Sequence, residues 1–192
     1  MNWTKEYVNS IILKTKFKEQ KKIKKQLMKL INDSPGEESK RVDDYYRDNI
    51  TKHDFGTAGN LELPWKQFFM KHFTPYWGNA ASTLGYEKLQ INKLWFQQYE
   101  KHSYHNWHTH ASNYTGVYYV DLPKGSAVTQ FIDPKDNKIF YHEAEEGDVI
   151  FFPCFLIHRG CQQPIKKPKT IISWNLDYLT IRKDLLYIDD KR

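Results

Sequence analysis

The chain has 192 residues, 40% of them hydrophobic, which is enough for one domain with a sizeable core. No apolar run approaches ~18 residues and the Met1–Glu6 start is polar, so neither a membrane span nor a secretory leader is expected, and two cysteines, Cys154 and Cys161, point to free thiols in a reducing, cytoplasmic compartment. The net charge of +6 is concentrated, because eight lysines fall between Lys14 and Lys29.

Residues 4–33 are predicted to be helical. Ile23, Leu27, Leu30 and Ile31 share one face, with lysines around them. The lysine run reads as a solvated helix face. The other reading is a nucleic-acid arm, but neither interleaved aromatics nor a nucleic-acid motif accompanies it. Asn32-Asp33-Ser34-Pro35-Gly36 closes the helix with turn residues. The next stretch is charged and ambiguous, with a short helix predicted over 43–49. Residues 1–60 are thus set apart as an N-terminal helical extension, and 61–192 as the main domain.

Pro64 opens a second predicted helix. Trp65, Phe68, Phe69, Phe73, Trp77, Ala80, Ala81 and Leu84 form an apolar stripe suited to packing on a sheet, with Pro75 expected to kink or split it. His72 reads as a histidine at the core's edge.

From Lys88 the character changes. Strands are predicted over 88–100, 114–122, 127–132, 138–142, 148–152, 156–158 and 169–178, separated by Pro, Gly, Asp and Asn turns. Short strands at this spacing imply an antiparallel sandwich or barrel. The fold class is therefore mainly β with N-terminal helices, a sandwich or barrel buttressed by those helices on one outer face.

The chemistry sits on this β-rich part. In Asn106-Trp107-His108-Thr109-His110, two imidazoles one residue apart fall on the same side of an extended backbone. A third, His158, follows a buried-looking strand, Gly147 through Pro153. Lys169 opens the last strand, where Lys169, Ile171, Ser173 and Asn175 share a face. Imidazoles bind transition metals, and a lysine inside a barrel needs an anionic partner. Tyr104, Trp107, Phe151 and Trp174 read as packing, with a pocket wall as the alternative. His102 and His142 read as exposed. A zinc site built on Cys154 and Cys161 around His158 lacks a second pair of ligands.

From about Leu89 to Tyr178 the chain resembles the 2-oxoglutarate/Fe(II)-dependent oxygenase superfamily, and within it the enzymes of bacteria and marine phages. The resemblance rests on Trp107-His108-Thr109-His110, Thr115 through Val120, Phe131-Ile132-Asp133-Pro134, Gly147 through Pro153 with His158, and Lys169 through Asn175. It implies a double-stranded β-helix with one Fe(II) at its mouth. His108, His110 and His158 would be the metal-binding and catalytic set. It further implies 2-oxoglutarate and O2 as cosubstrates, with Lys169 on the distal carboxylate and Tyr118, Ser173 and Asn175 as further contacts. The expected reaction hydroxylates a small molecule or a side chain and releases succinate and CO2. A non-catalytic jelly-roll that binds a metal or ligand is the alternative. The chain departs from the superfamily pattern twice. Histidine occupies position 110, where a carboxylate usually stands, and lysine occupies position 169, where arginine is usual. His105 and Asp133 remain other candidates for the third ligand, although Asp133-Pro134 reads better as a turn.

Overall fold

In the computed structural model, residues 4, 10–40 and 48–185 are described. Eleven strands and two α-helices occur among them: β1 (Leu13–Lys16), α1 (Gln20–Asp33), β2 (Glu37–Lys40), β3 (Asn49–His53), α2 (Pro64–Thr83), β4 (Tyr86–Tyr99), β5 (His105–His108), β6 (Tyr114–Asp121), β7 (Thr129–Ile132), β8 (Ile139–Tyr141), β9 (Asp148–Pro153), β10 (His158–Gly160) and β11 (Lys169–Ile181). They build two antiparallel sheets, one of seven strands in the order β1-β9-β6-β11-β4-β3-β2 and one of four in the order β5-β10-β7-β8. This is the jelly-roll class that the resemblance implied, built from the antiparallel strands that the sequence pattern predicts, with helices against one face.

Strand alternation divides the large sheet into two apolar surfaces. Leu94, Phe96, Tyr118, Val120, Val149, Phe151, Ile172, Trp174 and Leu176 point outward and are covered by both helices. Val117, Tyr119, Ile150, Phe152 and Ile171 point inward, towards Phe131 of the small sheet. Functional residues on inward positions therefore enter a space walled by both sheets.

The helices are held by the stripes their spacing predicts. α1 buries Ile23, Leu27 and Ile31, while α2 buries Trp65, Phe69, Phe73 and Trp77. α2 is not split at Pro75. The proline ring is on the exposed side, where water can bond the freed carbonyl, and buried Phe73 and Trp77 clamp the helix on either side of it.

Three expectations for the N-terminal part change. Residues 13–16 are not helical: they form an edge strand on β9, with Leu13 opposite Phe151 and Lys16 opposite Asp148. The charged stretch after Gly36 supplies β2 and β3, and β3 joins the large sheet through His53 and Gln97. The short helix expected over 43–49 falls outside the described residues except for its last two positions, of which Asn49 begins β3.

The lysine run is a solvated surface, apart from half-buried Lys24, and several of its members make ion pairs there. Lys24 pairs with Asp121 and Glu146, Lys16 with Glu145, Lys14 with Asp148 and Lys29 with Asp33. One buried ion pair staples α2 to the sheet. Asp54 accepts bonds from Trp65 Nε1 and the Phe96 amide, with Lys66 Nζ at 3.6 Å. Burial pushes the Asp54 carboxyl up and the Lys66 amine down. No helix among the described residues is long and apolar enough to cross a membrane.

Candidate metal centre

β5 and β10 are neighbours in the small sheet, and their register sets His108 directly opposite His158. His110 lies two residues beyond the end of β5, so strand alternation alone does not place it. Its amide donates to the Cys154 carbonyl at 3.1 Å, which ties its loop to the turn before β10. Farther along the same loop, the Asn113 amide donates to Asp177 Oδ1 at 2.8 Å.

The three imidazoles converge. Each offers one ring nitrogen, and these nitrogens all lie within 4.8 Å of one another. His110 Nε2 and His158 Nε2 are 3.1 Å apart. Metal–nitrogen bonds of about 2.1 Å meeting at right angles separate neighbouring nitrogens by about 3.0 Å. The donor set therefore fits one transition-metal ion bound on one face.

Two ligands are orientated in the same way. The His108 Nδ1–H donates to the Asn106 carbonyl at 2.6 Å, and the His158 Nδ1–H to the Leu156 carbonyl at 2.8 Å. Each carbonyl belongs to the residue two positions earlier. This fixes the tautomer and leaves Nε2 unprotonated for a metal.

Burial favours the neutral, ligating form of all three rings. It holds the His158 imidazole well below its ordinary range, helped by repulsion from His108 and His110. It pushes His110 down to about 3, with His108 and Lys93 adding to the effect. His108 is lowered as well, by burial against the opposing bond to Asn106.

His105, an alternative ligand from the sequence, is not part of this cluster. It stacks on His108 and hydrogen-bonds Gln97 through Nδ1 at 3.0 Å. Asp133 is not a ligand either, because its carboxylate accepts the Lys135 amide within its own turn. Both cysteines are free and outside the cluster.

Lys169 is buried, at 2% exposure. It sits opposite Tyr99 in the ladder, so its side chain enters the same inward face. Its Nζ donates to the Ala127 carbonyl at 2.7 Å and lies 4.6 Å from the centre of the Tyr99 ring. Among the described residues no carboxylate pairs with it, and burial pushes its amine down to about 8. Ser173 and Ile171 follow on that face and line the pocket with the three histidines. Asn175 lies one step beyond, opposite Lys93 and Thr115.

Tyr118 is a correction. It faces outward, packs on Phe17 and Phe69, and donates its hydroxyl to Gln20 Oε1. Alternation on β6 gives the inward position to Tyr119, whose hydroxyl bonds Thr129 at 2.9 Å. Phe151 and Trp174 belong to the same outward core. The sequence reading missed Trp95, Gln97 and Tyr99, which line the pocket from β4. Their period of two was visible, but the antiparallel register that sets them opposite Lys169 through Ser173 was not.

No family model matches the sequence, and no curated protein matches it. Solved structures do match in shape. A 2OG-Fe(II) oxygenase-family oxidoreductase from Burkholderia pseudomallei superposes with a TM-score of 0.60 at 16% identity, over 82% of this chain and 79% of that one. The epimerase SnoN, solved with Fe3+, alpha ketoglutarate and nogalamycin RO, gives 0.68 at 11% identity over 94% and 86%. A prolyl-4-hydroxylase from Pseudomonas putida gives 0.56 at 12% over 85% and 91%. This is the fold of the 2OG-Fe(II) oxygenases. On that oxygenase fold, the chain sets an all-histidine cluster between the sheets and a buried lysine farther along the same inner face.

Proposed function

We propose that the protein is an Fe(II)- and 2-oxoglutarate-dependent oxygenase that uses O2 to hydroxylate a small molecule or a side chain, releasing succinate and CO2. The observation that carries this reading is the pairing of three neutral, converging imidazoles with a buried ammonium that has no carboxylate partner among the described residues. The ion would supply a redox-active centre at which 2-oxoglutarate and O2 are brought together.

The chain's own residues do the rest. His108, His110 and His158 would hold the ion on one side and leave its other positions free. Three neutral ligands cancel none of the ion's charge, which favours a dianionic cosubstrate. Lys169 would receive the far carboxylate of that diacid as a point charge, without the two-pronged grip of arginine. Ser173 lines the pocket with the three histidines, two inward positions from Lys169, and its hydroxyl would bond the cosubstrate. Tyr119, Val117 and Phe152 wall the cavity and keep water out.

Lys169 also separates this reading from a non-catalytic jelly-roll that merely binds a metal. Such a module gains nothing from an unpaired cation buried beside its site. The test is to add Fe(II) and 2-oxoglutarate without oxygen and record the visible spectrum. A charge-transfer band that disappears in His158→Ala and weakens in Lys169→Met is expected. No band in the wild type, or an undiminished one in His158→Ala, defeats the proposal.

A further inference from the structure

Two buried polar atoms on the inner face of the large sheet have no partner. Trp95 is 6% exposed, and its indole Nε1–H meets no acceptor among the described residues. Asn175 is 7% exposed, and its Oδ1 meets no donor there. The other orphaned groups, the indoles of Trp77 and Trp174 and the hydroxyl of Tyr178, belong to the helix-covered core on the opposite face. Buried donors and acceptors are paired in nearly all native proteins, so an orphaned donor lining a cavity, with an orphaned acceptor on the same face of the sheet, calls for a ligand.

Their placement says which ligand. Trp95 lines the pocket with the three histidines, its ring 5.7 Å from that of His110. It stands opposite Ser173, and Asn175 is the next residue of β11 on that face. The pairing of β11 with β4 shifts register just after Asn175. Such a bulge re-aims a side chain and is common beside active sites. Lys169 lies the other way, two inward positions beyond Ser173. A diacid reaching from the metal to Lys169 therefore runs away from Asn175, which leaves the Trp95–Asn175 side for a second molecule.

We propose that Trp95 and Asn175 recognise an amide group of the primary substrate, a carboxamide or a peptide bond. The Trp95 indole N–H donates to the amide oxygen, and Asn175 Oδ1 accepts from the amide N–H. This rests on the oxygenase reading and adds a substrate class to it. Diagonal neighbours on paired strands lie about 7–8 Å apart, somewhat less between their Cβ atoms. An amide with a hydrogen bond of about 2.9 Å at each end spans up to about 8 Å, whereas a single hydroxyl spans about 5.5 Å. A carboxylate satisfies the indole but sets its charge against the Asn175 oxygen.

The experiment uses 15N-labelled protein loaded with Zn(II) and 2-oxoglutarate. The Trp95 indole resonance is assigned by its loss in Trp95→Phe. N-methylacetamide, methyl acetate and sodium acetate are titrated in turn. The amide should move the Trp95 resonance saturably, with the ester and the acetate weaker by about tenfold, the worth of one good hydrogen bond. In Asn175→Ala the amide should fall to the level of the ester. Where Trp95→Phe does not fold, triple-resonance spectra assign the indole signal and Asn175→Ala decides the matter. An amide that moves the resonance no more than the ester does overturns the proposal. So does a Trp95 resonance that moves on adding 2-oxoglutarate and no longer answers the amide, since its partner is then the cosubstrate. Binding of 2-oxoglutarate is read from its own signals in the same tube. Its failure overturns the oxygenase reading and leaves the amide comparison to be scored separately.

Discussion

The imidazole of His105 lies flat on that of His108, with ring centroids 3.9 Å apart and planes 23° from parallel. His105 is fixed in turn by Gln97 at Nδ1 and faces Asp48 across 3.6 Å at Nε2. Burial and the neighbouring histidines hold it neutral. The ring would thus act as a flat support behind His108, one of the proposed metal ligands. His105→Ala should weaken Zn(II) binding by about tenfold to a hundredfold, as losing an outer support does at other metal sites. His105→Phe keeps the stack and should recover part of the loss. Competition with a chelating dye measures both, and an unchanged affinity in a folded His105→Ala protein contradicts the role.

Acid should destabilise the metal-free protein. The folded chain keeps His105, His108, His110 and His158 below their ordinary values, His110 down to about 3. Below about pH 6.5 the unfolded chain takes up protons that the folded chain refuses. Stability is therefore greatest above that value and is lost as pH falls towards the folded values. Each such histidine contributes about 1.4 kcal/mol per pH unit in this window. Urea unfolding at a series of pH values should give a slope smaller by about that amount in His110→Leu. An equal slope in the variant rules the mechanism out.

Lys169→Met should separate stability from function. The wild-type protein buries an ammonium without a carboxylate, so the methionine variant should be about 1 kcal/mol more stable when ligand-free. Its 2-oxoglutarate affinity should fall by about a hundredfold while Zn(II) affinity stays the same. Because burial pushes the amine down to about 8, the charged form that grips an anion is lost as pH rises past that value. Wild-type 2-oxoglutarate binding should weaken there, and binding by Lys169→Met should not. Calorimetric titrations on either side of that pH decide it.

Gly116 marks the closest approach between β6 and the outer core. A Cβ there would fall 2.3 Å from a ring carbon of Trp174 and 2.6 Å from the Ile150 carbonyl oxygen. Gly116→Ala should therefore cost about 2–3 kcal/mol in thermal or urea unfolding. Adding Trp174→Phe to the same chain removes the nearer clash and should recover part of that cost.

Most of the strands, the helix-covered sheet and the choice of His108, His110 and His158 were legible in the sequence, because each depends on local period, turn residues and donor chemistry, whereas the convergence of the three rings needed the β5–β10 pairing and the tie of the His110 loop to Cys154. Lys169 and Ser173 followed from the same alternation. Other features needed the fold. The segment at 13–16 carries a helical neighbour's composition but becomes a strand because β9 offers an unpaired edge. Tyr118 and Tyr119 exchange roles because one residue of phase decides which side of β6 faces the cavity. His105 has the same side-chain chemistry as its neighbours, and only its stack on His108 makes it a support instead of a ligand. Trp95 and Asn175 lie 80 residues apart in the chain and come onto one face through the pairing of β4 with β11. Sequence fixes which atoms can bind or donate, because that chemistry belongs to each side chain. Which of them share a cavity depends on long-range pairing, where a shift of one residue turns a side chain to the other face.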